Sequence, residues 1–151
     1  MMSKKTVEGA IRVHNLQTKL LKLDVEQVRQ FAEIFQQKLN QSYTWELWAI
    51  AYMAFGGCSD DGFECFRGWL ISEGKVVFDK MVQNPEIIVE LGIAPDQLES
   101  ILYVAEEVFS ELTNDELELT EPNLTEPSGV EWAESEKALK KRFPKAYAFF
   151  R

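Results

Sequence analysis

Residues 45–71 read WELWAIAYMAFGGCSDDGFECFRGWLI, a dense aromatic stretch that glycine and acidic residues interrupt near its middle. On both sides of the interruption, apolar residues recur every three to four positions, as they do in the buried stripe of a helix. The first stripe comprises Trp45, Trp48, Ala49, Tyr52 and Met53, and the second comprises Phe63, Phe66, Leu70 and Ile71. The stretch therefore predicts two packed helices that meet at a polar corner.

The polar corner supplies the signals that end one helix and begin the next. Gly56 and Gly57 predict the end of the first helix, because glycine adopts a left-handed backbone without steric cost. Ser59, Asp60 or Asp61 can then cap the second helix by accepting hydrogen bonds from its first N–H groups. The polar side chains of this region are thus expected to lie together at one helix start.

Helical periodicity extends to the rest of the chain, which predicts an all-α fold built as a compact array of five to seven helices. Residues 1–7 are expected to be loose. The first predicted helix spans residues 7–22, and a second begins after a capping box at Asp24. Further helices are predicted over residues 45–55, from about Asp60 to Ser72, over residues 85–91, and from Ala94 to Leu112. The last of these is the longest in the second half of the chain. Val76 to Phe78 form a short apolar run that could instead be a strand.

The predicted domain organisation is a single domain over residues 1–151, which suits a chain of this length. Its core covers about residues 16–112. An acidic loop, expected to be mobile, follows over residues 113–131, where threonine, asparagine, glutamate and two prolines replace the helical pattern. A basic, aromatic helix and tail over residues 132–151 is expected to pack back on the core.

The polar corner also carries a family resemblance. The segments TWELWAIAY, GGCSDDGF and FRGWLI resemble the signature of the bacterial family of unknown function DUF4240. The resemblance covers roughly residues 20–112 and, more faintly, the Arg-Phe-Pro sequence near the end of the chain. It implies a bacterial protein but no particular activity, because none is established for that family.

Composition excludes several function classes. The chain has no apolar run near 18 residues and no basic, apolar and small-residue leader, so the interpretation is a cytoplasmic protein. Cys58 and Cys65 suit a reducing compartment, and their spacing matches no zinc motif. With His14 as the single histidine, far from the corner in sequence, Ser-His, Cys-His and multi-histidine schemes are disfavoured. The sequence therefore predicts no metal and no cofactor.

The charges are strongly segregated along the chain. The net charge is −9, and residues 81–136 carry 15 acidic groups without one lysine or arginine, whereas residues 137–151 carry 6 basic groups and no acidic group. Such a surface repels nucleic-acid phosphates, so direct nucleic-acid binding is not expected. A basic protein partner that binds residues 81–136 is the natural complement. The oligomeric state is left open.

The candidate site residues at the corner are Ser59, Asp60, Asp61 and Arg67. If the second helix begins near Asp60, residues 60, 64 and 67 share one face, and a carboxylate and a guanidinium could face one hollow. Arg67 would then bind an anion while Asp60 and Asp61 orient it or move a proton. The alternative is structural: one aspartate caps the helix, and Arg67 pairs with Glu64, Asp61 or another acid. Cys58 could be a thiolate favoured by the helix dipole or a small packed side chain.

Trp132 is the last candidate, either as an exposed anchor for a partner or as a clip for the tail. Together these patterns favour a non-catalytic accessory or regulatory module that binds a protein or small ligand. The first alternative is an enzyme with an Asp60, Asp61 and Arg67 site for an anionic substrate. The second is an acidic inhibitor or immunity-type protein that blocks a basic cleft with residues 99–136.

Overall fold

The fold is all-α, as predicted. The computed structural model describes residues 4–151, and within that range the chain forms nine α-helices and two short 3-10 helices, slightly more helices than expected. The α-helices are α1 (Lys4–Leu20), α2 (Val25–Gln41), α3 (Trp45–Phe55), α4 (Asp60–Ser72), α5 (Lys75–Gln83), α6 (Ile88–Leu91), α7 (Val104–Thr113), α8 (Glu136–Arg142) and α9 (Pro144–Phe150). The 3-10 helices span Pro85–Ile87 and Glu99–Tyr103.

Side-chain caps set the helix boundaries around the site. Asp24 and Gln27 form the expected capping box at the start of α2, and the Thr44 hydroxyl accepts the Leu47 N–H (3.1 Å) at the start of α3. Gly56 ends α3 with a left-handed backbone (φ 68°). Of the three candidate caps for α4, Ser59 is the one used: its hydroxyl accepts the Gly62 N–H at 3.1 Å. These local signals place the polar corner between α3 and α4 as predicted.

Helices α3 and α4 supply the centre of the main hydrophobic core. The central side chains, fully buried, are those of Leu47, Ile50, Phe63, Phe66 and Leu70. A smaller cluster lies where α1, α2 and α7 meet, formed by Leu20, Val28, Val104, Val108 and Phe109. The aromatic stretch therefore becomes the packed interior, and the polar corner is held on it.

The prediction of one long helix from Ala94 to Leu112 is wrong for the first half of that range. Residues 92–98 are irregular, a 3-10 helix follows, and α7 begins only at Val104. The Leu98 N–H donates to the Cys65 carbonyl of α4 (3.0 Å) instead of to its own helix. Tertiary contact with α4 overrides the helical pattern here.

The structure also decides two smaller questions, the conformation of residues 76–78 and that of the start of the chain. Val76 to Phe78 lie inside α5 and are not a strand. The loose start predicted for residues 1–7 is wrong from residue 4 onward, because α1 already begins at Lys4, and residues 1–3 lie outside the described part of the chain. The tail does pack back, with Phe143 and Ala146 buried.

The acidic loop predicted over residues 113–131 is called the acidic segment from here on. The structure has no helix or strand between residues 114 and 135. The acidic segment is nevertheless attached to α2 by hydrogen bonds. The Glu33 carboxylate accepts the N–H groups of Thr120 and Glu121 (2.9 and 3.0 Å), and the Asn40 amide donates to the Pro122 carbonyl (2.7 Å). The segment is irregular as predicted but follows a defined path.

We expect Gly68→Ala to lower the free energy of unfolding by about 1–3 kcal/mol, because a Cβ at this position overpacks the contact between α4 and the 3-10 helix. It would lie 2.8 Å from Ile101 Cγ2 and 3.3 Å from the Leu98 carbonyl oxygen, which is backbone. Urea unfolding measures the change. Gly62→Ala is the matched control, since its closest clash, 2.9 Å, is with the flexible Gln97 amide. Equal losses in the two variants would contradict the packing argument.

Candidate functional site

The charged centre of the corner is Arg67, which is buried, with 5% of its surface exposed. Its Nη1 donates to the Leu39 carbonyl oxygen (2.7 Å) in the last turn of α2. The guanidinium lies over the rings of Tyr43 and Phe63, at 4.2 and 4.9 Å from their centroids. Arg67 thus joins α2, the turn before α3, and α4.

Burial of a guanidinium has an electrostatic cost, and several groups around Arg67 reduce it. Burial lowers the pKa of Arg67, while Glu64, Tyr43 and Asp60 act in the opposite direction. The carbonyl end of α2 carries the negative end of the helix dipole, and the two aromatic faces attract a cation. Arginine therefore stays protonated here, although its Nε is enclosed and has no hydrogen-bond partner in the described residues.

Tyr43 is the residue of this corner that the sequence did not single out. It is buried, and its hydroxyl donates to Asp60 Oδ1 (2.8 Å) and lies 3.4 Å from the Thr125 carbonyl oxygen of the acidic segment. Burial, followed by the hydrogen bond to Asp60, raises the pKa of Tyr43 to about 12. Its one sequence signal is its position directly before the Thr44 cap and the segment TWELWAIAY.

The observed contacts of Arg67 differ from those in both sequence interpretations. Asp60 and Arg67 both lie on α4 as expected, but each is engaged by a different group: Asp60 accepts a hydrogen bond from the Tyr43 hydroxyl, and Arg67 donates one to the Leu39 carbonyl. Among the described residues, no carboxylate lies within ion-pair distance of Arg67. The reason is that the end of α2 and the rings of Tyr43 and Phe63 occupy the space around the guanidinium.

Asp61 points to a different place, an open groove of about 390 Å³ between α4 and the second 3-10 helix. We call it the acidic groove and define it by Asp61, Glu64, Glu99 and Tyr103, with Gly62, Cys65 and Leu102 completing its lining. Tyr103 is 45% exposed. Burial raises the pKa of Tyr103, followed by the charges of Glu99, Glu64, Cys65 and Asp61. All three carboxylates line the same groove as the ring.

The two cysteines are free and half-buried. Burial raises the pKa of Cys58 to about 11, against the opposing hydrogen bond from Gln97. Burial also raises the pKa of Cys65, together with the carboxylates of the acidic groove. Desolvation outweighs the helix dipole at Cys58, so both thiols are protonated at neutral pH and are poor nucleophiles.

Trp132 is not an exposed anchor, because only 8% of its surface is exposed. Its Nε1 donates to the Trp45 carbonyl oxygen (2.7 Å), and its ring packs against the rings of Trp45 and Tyr52 at centroid distances of 6.2 and 4.9 Å. The alternative role, a clip that holds the C-terminal segment on α3, matches this burial.

Within residues 4–151, no group of three or more histidine, cysteine, aspartate or glutamate side chains is arranged to hold a metal ion. The helices of the same range include none with the length and apolarity that a membrane crossing requires.

Comparison with known proteins gives one match. The family model described as "Protein of unknown function (DUF4240)" matches residues 3–111. No curated protein and no solved structure matches the chain. The match includes the segments TWELWAIAY, GGCSDDGF and FRGWLI and the acidic groove, and it ends before the acidic segment.

We expect Arg67→Ala to lower the free energy of unfolding by about 2–4 kcal/mol, since it empties the space between Tyr43 and Phe63 and removes a charged hydrogen bond. Arg67→Met should recover more than half of this loss, because it refills the space without a buried charge. Chemical denaturation measures both. Arg29→Ala, which removes the ion pairs of a half-exposed arginine with Glu26 and Glu33, is the control and should change stability by less than about 1 kcal/mol. A methionine variant as unstable as the alanine variant would contradict this assignment.

We expect tyrosinate absorbance to show a transition near pH 12 that disappears in Tyr43→Phe. In Asp60→Asn the transition should move toward pH 10 but not reach it, because burial is the larger cause of the raised pKa. Since the folded-state pKa exceeds the unfolded value, the contribution of Tyr43 to stability is complete below pH 10 and is lost as the pH rises through about 12. A wild-type titration identical to that of Tyr43→Phe would contradict the assignment.

Proposed function

This chain belongs to the DUF4240 family, whose function is unknown, and from its geometry we propose that it is a non-catalytic cytoplasmic bacterial module that binds a basic protein partner through the acidic groove. The proposal places the contact inside the matched region, at Asp61, Glu64, Glu99 and Tyr103. It names an accessory or regulatory role, in which binding itself is the activity.

The observation that carries the proposal is the state of the three groove carboxylates. None of Asp61, Glu64 and Glu99 forms an ion pair with a described residue, and no lysine or arginine of the described chain lines the groove. The exposed Tyr103 ring in the same groove offers a π face to a cation. A lysine or arginine side chain of a partner supplies the missing charge and fits an open groove of this size.

The wider charge distribution supports the same partner chemistry. Among the described ion pairs, residues 81–136 contribute two, Glu90 with Lys145 and Glu136 with Arg151. Arg142 of the tail pairs with Glu46 of α3. Most of the acidic side chains of residues 81–136 therefore form no ion pair with a described residue and are available to a basic partner. Their charge also steers association over about a Debye length.

A binding role is also favoured by the chemistry of the corner. Ser59 caps α4, Asp60 accepts a hydrogen bond from Tyr43, and Arg67 is enclosed by aromatic rings and a backbone carbonyl. Ser59, Asp60 and Arg67 thus each have a structural role, and both thiols are protonated. The groups that an Asp60, Asp61 and Arg67 enzyme needs do not converge on one reacting atom.

We expect wild-type protein to capture a basic partner from a lysate of its native host at low salt and to lose it at high salt. The groove variant Asp61→Asn, Glu64→Gln, Glu99→Gln should reduce the association rate about tenfold or more, since steering and the direct contact are both lost. Association of the purified partner is measured by surface plasmon resonance.

The matched control is Glu116→Gln, Glu118→Gln, Glu126→Gln, which removes the same charge from exposed positions outside the groove. It should slow association much less. Glu121 is left unchanged, because it is half-buried and accepts a hydrogen bond from Asn40. Equal effects of the two triple variants, capture that is indifferent to salt, or no partner at either ionic strength would each overturn the proposal.

A further inference from the structure

We propose that residues 120–132, which we call the strap, are an autoinhibitory pseudo-ligand. The strap occupies a peptide-docking groove on α2 and α3, and an extended peptide of another protein with an indole at the matching position displaces it. The inference uses neither the acidic groove nor a basic partner, so it is independent of the proposed function. The strap lies outside the matched region, whereas the groove beneath it lies within that region.

The backbone of the strap binds as an added strand does. The Ser128 N–H donates to the Tyr43 carbonyl (3.0 Å), and the Ser128 carbonyl accepts the Trp45 N–H (2.9 Å), which forms a parallel bridge between Thr44 and Ser128. The Trp45 N–H is the first of α3 and has no partner within its own helix. Pairing of an extended segment with exposed backbone groups is a common mode of peptide recognition.

A single side chain anchors the strap. Trp132, four positions after the bridging Ser128, fills a niche formed by Trp45 and Tyr52 and donates its indole N–H to the Trp45 carbonyl. An indole that is both packed and hydrogen-bonded is the usual form of an interface anchor.

The remaining strap residues show that it is not an element of the core. Residues 122–126 and 128–131 are exposed, including the apolar Leu124 (44%) and Val130 (70%). The strap is held by backbone hydrogen bonds, a few polar side chains and one buried ring, which is the pattern of a bound peptide. A segment attached in this way can be released while the core stays folded.

Gly129 provides a way to loosen the strap selectively. Its φ is +90°, and a Cβ would lie 2.5 Å from Glu46 Oε2. Alanine at this position is strained by the backbone and clashes with the Glu46 carboxylate, which also accepts the Val130 N–H. Gly74 is a matched control: its φ is +95°, and a Cβ added there would meet no atom within 4 Å.

The test measures binding of a fluorescent peptide with the sequence of residues 119–135 to the full chain, by fluorescence anisotropy at physiological ionic strength. Wild-type protein should bind weakly, because its own strap competes at a high effective concentration. Gly129→Ala and Trp132→Ala, each checked by circular dichroism, should bind saturably and about tenfold or more tightly than wild type. Gly74→Ala should bind like wild type.

The same peptide with alanine in place of the tryptophan should lose the binding. The binding result counts for each loosened variant, Gly129→Ala or Trp132→Ala, that is folded. The proposal is overturned if such a variant binds the peptide no more tightly than wild type does. It is also overturned if Gly74→Ala gains affinity equal to that of Gly129→Ala, which would indicate general destabilisation. If the alanine peptide binds as tightly as the tryptophan peptide, the indole is not the anchor, and the inference is contradicted.

Discussion

The guanidinium of Arg67 has to be kept charged in the interior without a carboxylate in contact, and this constraint organises the region around it. A buried cation is tolerated when its hydrogens meet acceptors and its faces meet polarizable groups. Leu39, Tyr43 and Phe63 meet these needs from three different elements. The end of α2, the turn that leads into α3, and α4 therefore have fixed positions relative to one another.

Two consequences follow for the surface. Because Arg67 is enclosed, it forms no ion pair with Asp61 or Glu64, and both carboxylates line the acidic groove beside α4. Tyr43 is the second link, since its hydroxyl meets Asp60 on one side and approaches the Thr125 carbonyl of the strap on the other. The buried charge thus lies close to both surfaces for which we propose binding roles, although neither surface includes it.

Features set by short-range chemistry could be predicted from the sequence. The caps at Asp24, Thr44 and Ser59 and the left-handed end at Gly56 depend on residues within one helical turn. The all-α class follows from periodicity alone. The break before α7 could not be predicted, because it depends on Gly68, a distant glycine that lets the second 3-10 helix approach α4 closely.

For the site, the sequence located the corner but not its geometry. Helical spacing predicts that Asp60 and Arg67 share one face of a helix, yet what that face touches is decided by the C-terminal end of α2, more than twenty residues earlier. Tyr43 was missed and Trp132 was given two opposite roles, because burial by a distant segment leaves no periodic trace. The acidic groove needed α4 and the second 3-10 helix to come together, which only tertiary structure shows.

The arrangement of the tryptophans has a spectroscopic consequence. Trp45 and Trp48 are stacked, with centroids 5.3 Å apart and planes inclined by 8°, and Trp132 meets Trp45 edge-on. Indoles this close couple their electronic transitions, so the near-ultraviolet circular dichroism of this cluster depends on where all three rings lie. Two of the rings belong to α3 and the third to the strap. The protein therefore carries a built-in optical reporter of whether its C-terminal segment is docked, and it needs no added label.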